Sequence, residues 1–296
     1  MRKEKILSLL KDLKDISSLV VNYDHYVLQN KIEVLYENLV ISCMINYKED
    51  QVIIACYHGL KILDLITNKI IEIKLENTVS HLTVLSGEFI VGGSYEGYII
   101  MWNDRLEELF KIKAYHIDIR FLNVIYTNKI LSGSFNTIDI WNSTGVLEKT
   151  FKREDIACNT ILRTKDGDRA VTGYLNSEIE IWNPLTGKSE VFLKGHTKRL
   201  TSVVILYFNC NNKIVSGSFD QTIRIWNING TCEKILTYNH SIFTVSILQD
   251  KEIIHRGLKT VTFGNIEIND EIRRVLVLNN GKVLFCTENW FLKLIK

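Results

Sequence analysis

A repetitive all-β fold is what this sequence predicts, and three observations predict it. A phrase ending in Ile-Trp-Asn, or a close variant, recurs along the chain, and its tryptophans at 102, 141, 182 and 226 lie 39, 41 and 44 residues apart. Within each copy apolar and polar residues alternate, as in Ile223, Arg224 and Ile225, which is the period of a strand and not that of a helix. The spacing fits the roughly 40–45 residues of one recurring four-stranded antiparallel unit.

Taken in chain order, the first element is not a strand. Ile6, Leu7, Leu9, Leu10, Leu13 and Ile16 share one helical face, with Lys3, Glu4, Lys11, Asp12, Lys14 and Asp15 around them, so residues 1–24 are expected to form a short amphipathic helix and a linker. Charges of both signs argue against a membrane surface, which selects Lys and Arg. Packing on the following domain or docking on a partner remain the two readings. Residues 31–37 then form a strand with no repeat of its own.

The copies follow. The first is Cys56-Tyr57-His58-Gly59-Leu60-Lys61-Ile62-Leu63-Asp64, with Asp64 in the tryptophan place. Four clear copies end at Trp102-Asn103, Trp141-Asn142, Trp182-Asn183 and Trp226-Asn227, the last reading Ser216-Gly217-Ser218-Phe219-Asp220-Gln221-Thr222-Ile223-Arg224-Ile225-Trp226-Asn227. A weaker copy passes through Thr260-Val261-Thr262-Phe263, and a terminal one through Trp290-Phe291-Leu292. Seven copies result.

This pattern resembles the WD-repeat (Trp-Asp repeat) β-propeller family. The resemblance implies a seven-bladed propeller of four-stranded antiparallel blades over residues 25–296, its last blade completed by the early strand at 31–37. It also implies a hydrogen-bonded set in the blade ending at Trp226. Gly195-His196 stands 24 residues before the turn residue Asp220, and Ser216 or Ser218 supplies a hydroxyl to join His196, Asp220 and Trp226. Elsewhere the turn residue is Glu96, Asn136, Asn176 or Gly257, so those blades are expected to lean on apolar packing.

Chemistry is harder to find. Gly187-Lys188-Ser189 has Trp182 where a phosphate-binding loop needs glycine, and no G-x-G-x-x-G occurs. Gly92-Gly93-Ser94-Tyr95-Glu96 ends in Glu where a nucleophile elbow ends in Gly. Histidines at 25, 58, 81, 116, 196, 240 and 255 and cysteines at 43, 56, 158, 210, 232 and 286 show neither H-E-x-x-H nor C-x-x-C, so neither a metal nor a cofactor is expected. His196 and Asp220 would serve as a catalytic pair, but turn bracing explains the same two residues.

Composition narrows the class. At 46% hydrophobic and 24% charged residues the chain is that of a folded protein and not of a disordered one. A formal charge of +2 builds no large basic field. With no apolar run of membrane-spanning length and no signal-peptide core, the chain reads as cytoplasmic, with the nucleus open and no membrane contact.

The residue just before the turn acid reads Tyr57, Tyr95, Phe135, Leu175, Phe219, Arg256 and Glu288 in successive copies. By resemblance these places lie on the face where partners dock, with Arg199 beside them. Aromatics and Arg are the types enriched at binding hot spots; packing against neighbouring blades is the other reading. The expected function is a non-catalytic scaffold that holds other proteins in an assembly without forming homo-oligomers. An RNA-associated subunit in ribosome assembly or RNA processing is the alternative.

Overall fold

The computed structural model describes residues 32–36, 40–57, 59–86, 89–125, 128–207, 212–248, 253–257, 261–263, 266–268, 272–279, 282–287 and 292–295. The helix expected within 1–24 lies outside the described residues.

Every regular element among the described residues is a strand, and the strands form seven four-stranded antiparallel sheets. The first blade holds β2 (Ile41–Asn46), β3 (Gln51–Cys56), β4 (Gly59–Asp64) and β5 (Ile70–Lys74); the second holds β6 (Val79–Leu85), β7 (Phe89–Ser94), β8 (Tyr98–Trp102) and β9 (Glu108–Lys113). The third runs through β10 (Phe121–Ile125), β11 (Lys129–Gly133), β12 (Thr137–Trp141) and β13 (Leu147–Lys152). The fourth comprises β14 (Ile156–Thr164), β15 (Gly167–Tyr174), β16 (Ile179–Trp182) and β17 (Ser189–Leu193). In the fifth are β18 (Leu200–Leu206), β19 (Lys213–Ser218), β20 (Thr222–Asn227) and β21 (Cys232–Thr237), and in the sixth β22 (Thr244–Ile247), β23 (Ile253–Arg256), β24 (Val261–Phe263) and β25 (Ile266–Ile268).

The seventh blade draws on both ends of the domain. β26 (Ile272–Val277), β27 (Val283–Thr287) and β28 (Leu292–Ile295) are completed by β1 (Ile32–Tyr36), which pairs antiparallel with β28 from Ile32 opposite Ile295 to Tyr36 opposite Leu292. The first strands of the blades touch in the cyclic order β2, β6, β10, β14, β18, β22, β26 and back to β2. The ring is closed, so every blade packs between two neighbours and its inner edge is short and protected.

Period-two alternation fills this ring with core. Along β3, Val52, Ile54 and Cys56 point to the cluster shared with the seventh blade, while Ile53 and Ala55 point to the one shared with the second. The strand is covered on both faces, so it reads as an unbroken apolar run. β27 repeats this, with Val283 and Phe285 facing the sixth blade and Leu284 and Cys286 the first. Each buried Leu, Ile or Phe contributes roughly 1.5–3 kcal/mol. The outer strands β5, β9, β13 and β21 expose much of their length.

A bulge at the start of the inner strand, between Ile41/Cys43, Val79/His81 and Leu200/Ser202, turns one extra residue toward the next blade. That residue carries a hydroxyl. Ser42 donates to the Val79 carbonyl, Ser80 to Ile119 at 3.3 Å and Thr201 to Ile242 at 2.9 Å. Arginine makes the same kind of joint elsewhere: Arg120 Nη1 donates to the Ile156 carbonyl at 3.0 Å, Arg256 Nη1 to Ile272 at 3.4 Å, and Arg274 Nε to Ser42.

Candidate functional site

The fifth blade holds a continuous polar chain. Trp226 Nε1 donates to Ser216 Oγ at 2.8 Å, Ser216 Oγ lies 2.8 Å from His196 Nε2, and His196 Nδ1 lies 2.7 Å from Asp220 Oδ2. Burial would raise the Asp220 carboxyl, but donors from Thr222, the Thr197 amide and His196 outweigh it and hold it at about 2. An ionised Asp220 accepts, so Nδ1 carries the imidazole proton and Ser216 donates to Nε2. Burial lowers the His196 pKa against the pull of Asp220, which keeps the ring neutral. The His196 side chain has no exposed surface, so a substrate in the surrounding water cannot reach it.

Ser218 does a different job. Its Oγ donates to the Lys198 carbonyl at 2.8 Å or the Arg199 carbonyl at 3.0 Å, and accepts from the Asp220 amide at 3.1 Å. It thereby fixes the loop that presents Arg199.

Other blades solve the same packing problem with different residues. In the third, Trp141 Nε1 meets Ser132 Oγ at 2.8 Å, and Tyr115 takes the histidine role with its hydroxyl 2.8 Å from Ser132. In the fourth, Trp182 Nε1 donates to Thr172 at 2.9 Å, while buried Glu180 is held by Arg153 at 3.0 Å, Tyr174 and Ser189. In the second, Gly92 replaces the hydroxyl residue, and Trp102 Nε1 is buried with no hydrogen-bond partner among the described residues.

The loops that carry His196 and Asp220 define one face of the ring, and the aromatic tips lie there. Tyr57 and Tyr95 follow β3 and β7 directly, are 57% and 49% exposed, and help line a cavity of about 370 Å3 with Ser42, Thr78, Glu96 and Arg274. Gly97 shapes this rim: its φ of +82° suits glycine, and a Cβ would stand 2.3 Å from the Tyr115 carbonyl oxygen. Burial would raise the Glu96 carboxyl, but donors from Ser94 and backbone amides hold it below the usual range.

Phe135 and Phe219 are half-buried and each lies under a guanidinium, Arg120 at 4.6 Å and Arg199 at 4.0 Å. Arg256 sits apart from the tips, as the last residue of β23, with its guanidinium 5.0 Å over Phe243. Phe243, missed in the sequence because it precedes β22 instead of capping a hairpin, meets Phe219 edge-on at 5.1 Å. Leu175 is half-buried, and Glu288 lies outside the described residues. Among the described residues no group of three or more His, Cys, Asp or Glu could hold a metal ion, and no helix is long and apolar enough to cross a membrane.

Seven blades with a Trp–Ser–His–Asp chain in one of them define a β-propeller of the WD type. The family model for the WD domain, G-beta repeat, matches residues 187–227, which span that chain. The protein belongs to the WD-repeat family. It is similar to Echinoderm microtubule-associated protein-like elp-1 of Caenorhabditis elegans, with 30% identity over 67% of this chain and 22% of that one. It is similar to WD repeat-containing protein pop2 of Schizosaccharomyces pombe, with 35% identity over 32% of this chain and 13% of the relative. Pre-mRNA-processing factor 19 of Mus musculus shares 35% over 27% of this chain and 16% of its own. The chain therefore spans less than a quarter of each of these relatives.

Proposed function

We propose that the protein is a non-catalytic scaffold subunit, cytoplasmic or nuclear, whose aromatic face docks a peptide or loop of another protein in an assembly. WD-repeat proteins generally serve as protein-interaction scaffolds. The observation that carries the reading is the set of rings on one face, Tyr57 and Tyr95 exposed at a cavity and Phe135 and Phe219 half-buried beneath arginines. Such amphipathic and guanidinium-capped rings are the usual anchors of protein interfaces. The buried ends of the His196–Asp220 pair leave it a brace.

A second reading, an RNA-associated subunit, draws on the name of the pre-mRNA-processing relative and on rings that could stack bases. Affinity purification of tagged full-length protein from its own cells separates the two, beside a Tyr95→Glu/Phe219→Glu variant, with and without RNase. Partners that survive RNase and disappear with the variant support docking of protein; partners lost to RNase support RNA; partners retained by the variant put the site elsewhere.

A further inference from the structure

Three guanidinia, those of Arg120, Arg199 and Arg256, lie over phenylalanine rings, and their N–H groups are spent differently. Arg120 donates to the Ile156 carbonyl and has Asp118 at 3.8 Å, and Arg256 donates to the Ile272 carbonyl. Arg199 is exposed, lies 4.0 Å over Phe219, and has neither a hydrogen bond nor an ion pair from its guanidinium to any described residue. Asp220 makes no ion pair with it; its carboxylate oxygens accept from Thr197, Thr222 and His196. Lys194 on the same loop is matched by Glu178 at 2.8 Å, whereas exposed Lys198 is unmatched among the described residues.

We propose that Arg199 is the anchor for an acidic side chain of a docked protein segment, a carboxylate taken by the guanidinium with an adjoining apolar residue against Phe219 and Phe243. The proposal rests on the docking reading above. A guanidinium stacked on a ring has its rotamer set and its planar fork of donors turned outward, which matches a carboxylate bidentately and cuts the entropy lost on binding. Nucleic acid fits less well. It needs a track of cations along the phosphates, and here Lys194 is paired with Glu178 and Arg120 has Asp118 at 3.8 Å.

The test is selection of a random dodecapeptide display library on the full-length protein, followed by fluorescence anisotropy of labelled winners. The expected result is enrichment of Asp or Glu beside an apolar residue. Binding should fall about tenfold in Arg199→Gln and be only partly restored in Arg199→Lys, which lacks the fork. It should also weaken as salt rises from about 50 to about 300 mM. An unchanged melting curve for Arg199→Gln shows that the ring is intact. Selected peptides without acidic enrichment, winners that bind Arg199→Gln as tightly as wild type, or a selection that yields nothing while labelled oligouridylate binds through Arg199 would each overturn the proposal. Peptides lost in Tyr95→Glu/Phe219→Glu but kept in Arg199→Gln would leave the docking face standing and remove only the acidic anchor.

Discussion

Trp226 and Trp102 end the third strand of their blades in the same way, yet different forces hold them. Trp226 is tied through Ser216 to His196 and Asp220, whereas Trp102 rests against Gly92 with its N–H unpaired among the described residues. Ser216→Ala leaves the Trp226 indole N–H and the His196 Nε2 without a partner and should cost about 1–3 kcal/mol in urea unfolding. Gly92→Ser supplies the hydroxyl that the second blade lacks, but its Cβ would stand 2.7 Å from Trp102 Cζ3. It should therefore destabilise by about 1–3 kcal/mol through overpacking; a neutral or stabilising result would show that the tryptophan can shift.

Buried histidines set the acid limit. Burial, reinforced by His240, lowers His255 to about 4, and both of its ring nitrogens lack a hydrogen-bond partner among the described residues beneath Tyr238. Burial, reinforced by Arg274 and opposed by the Ile119 carbonyl and Asp118, lowers His81 to about 4. In the unfolded chain both take up protons near pH 6.5, so the stability these two histidines contribute is full above that value, falls between about 6.5 and 4, and changes no further below. His255→Phe should flatten this slope in urea midpoints measured from pH 7 to 4.5. At this scale the sequence reveals only part of the site. His196 and Asp220 stand out because their spacing follows the family pattern, but Tyr115 on Ser132 and Arg153 on Glu180 meet at separations that no repeat announces.

At the scale of the strand, a single side chain ties three of the blades to the next. The bulged residue of the inner strand sends Ser42, Ser80 or Thr201 to a carbonyl of the following blade. Thr201→Val keeps the shape but removes the donor shared by the Gly217 and Ile242 carbonyls. A loss of about 1–2 kcal/mol is expected, together with faster amide exchange along β22. No change in either quantity would mean that apolar packing alone holds this joint. Alternation made the strands legible, since β8, β12, β16 and β20 all end at a tryptophan or one residue past it. The joints were not legible, because a bulge leaves no mark in the period. Arg256 shows the difference: its place near a turn suggested a tip, while the pairing with Thr244 puts it inside the strand and at a joint.

For the whole molecule, the ring depends on β1 as much as on any core residue. Without it β28 would present an unpaired edge, open to pairing with another chain. Deletion of residues 1–37 should lower the melting temperature and cause concentration-dependent association in sedimentation velocity. Moving residues 25–37 by a linker to follow 296 should restore both, because β1 then reaches β28 from the other side. Failure of the permuted chain to recover would show that residues 1–24 contribute more than a connection. The ring itself was legible, from the count of repeats and the spare strand. The ligand was not, because seven similar hairpins can display almost any set of side chains at their tips.

The pairing of Tyr36 with Leu292 also sets an order of events during synthesis. β1 leaves the ribosome before β28, which follows roughly 250 residues later, and at about 5–20 residues per second that is a wait of some 10–50 s. Through that interval six blades can condense one after another as they emerge, while the seventh stays open. The nascent chain thus carries an unpaired β1 until β28 emerges, and the need to shield that strand should end abruptly at that point.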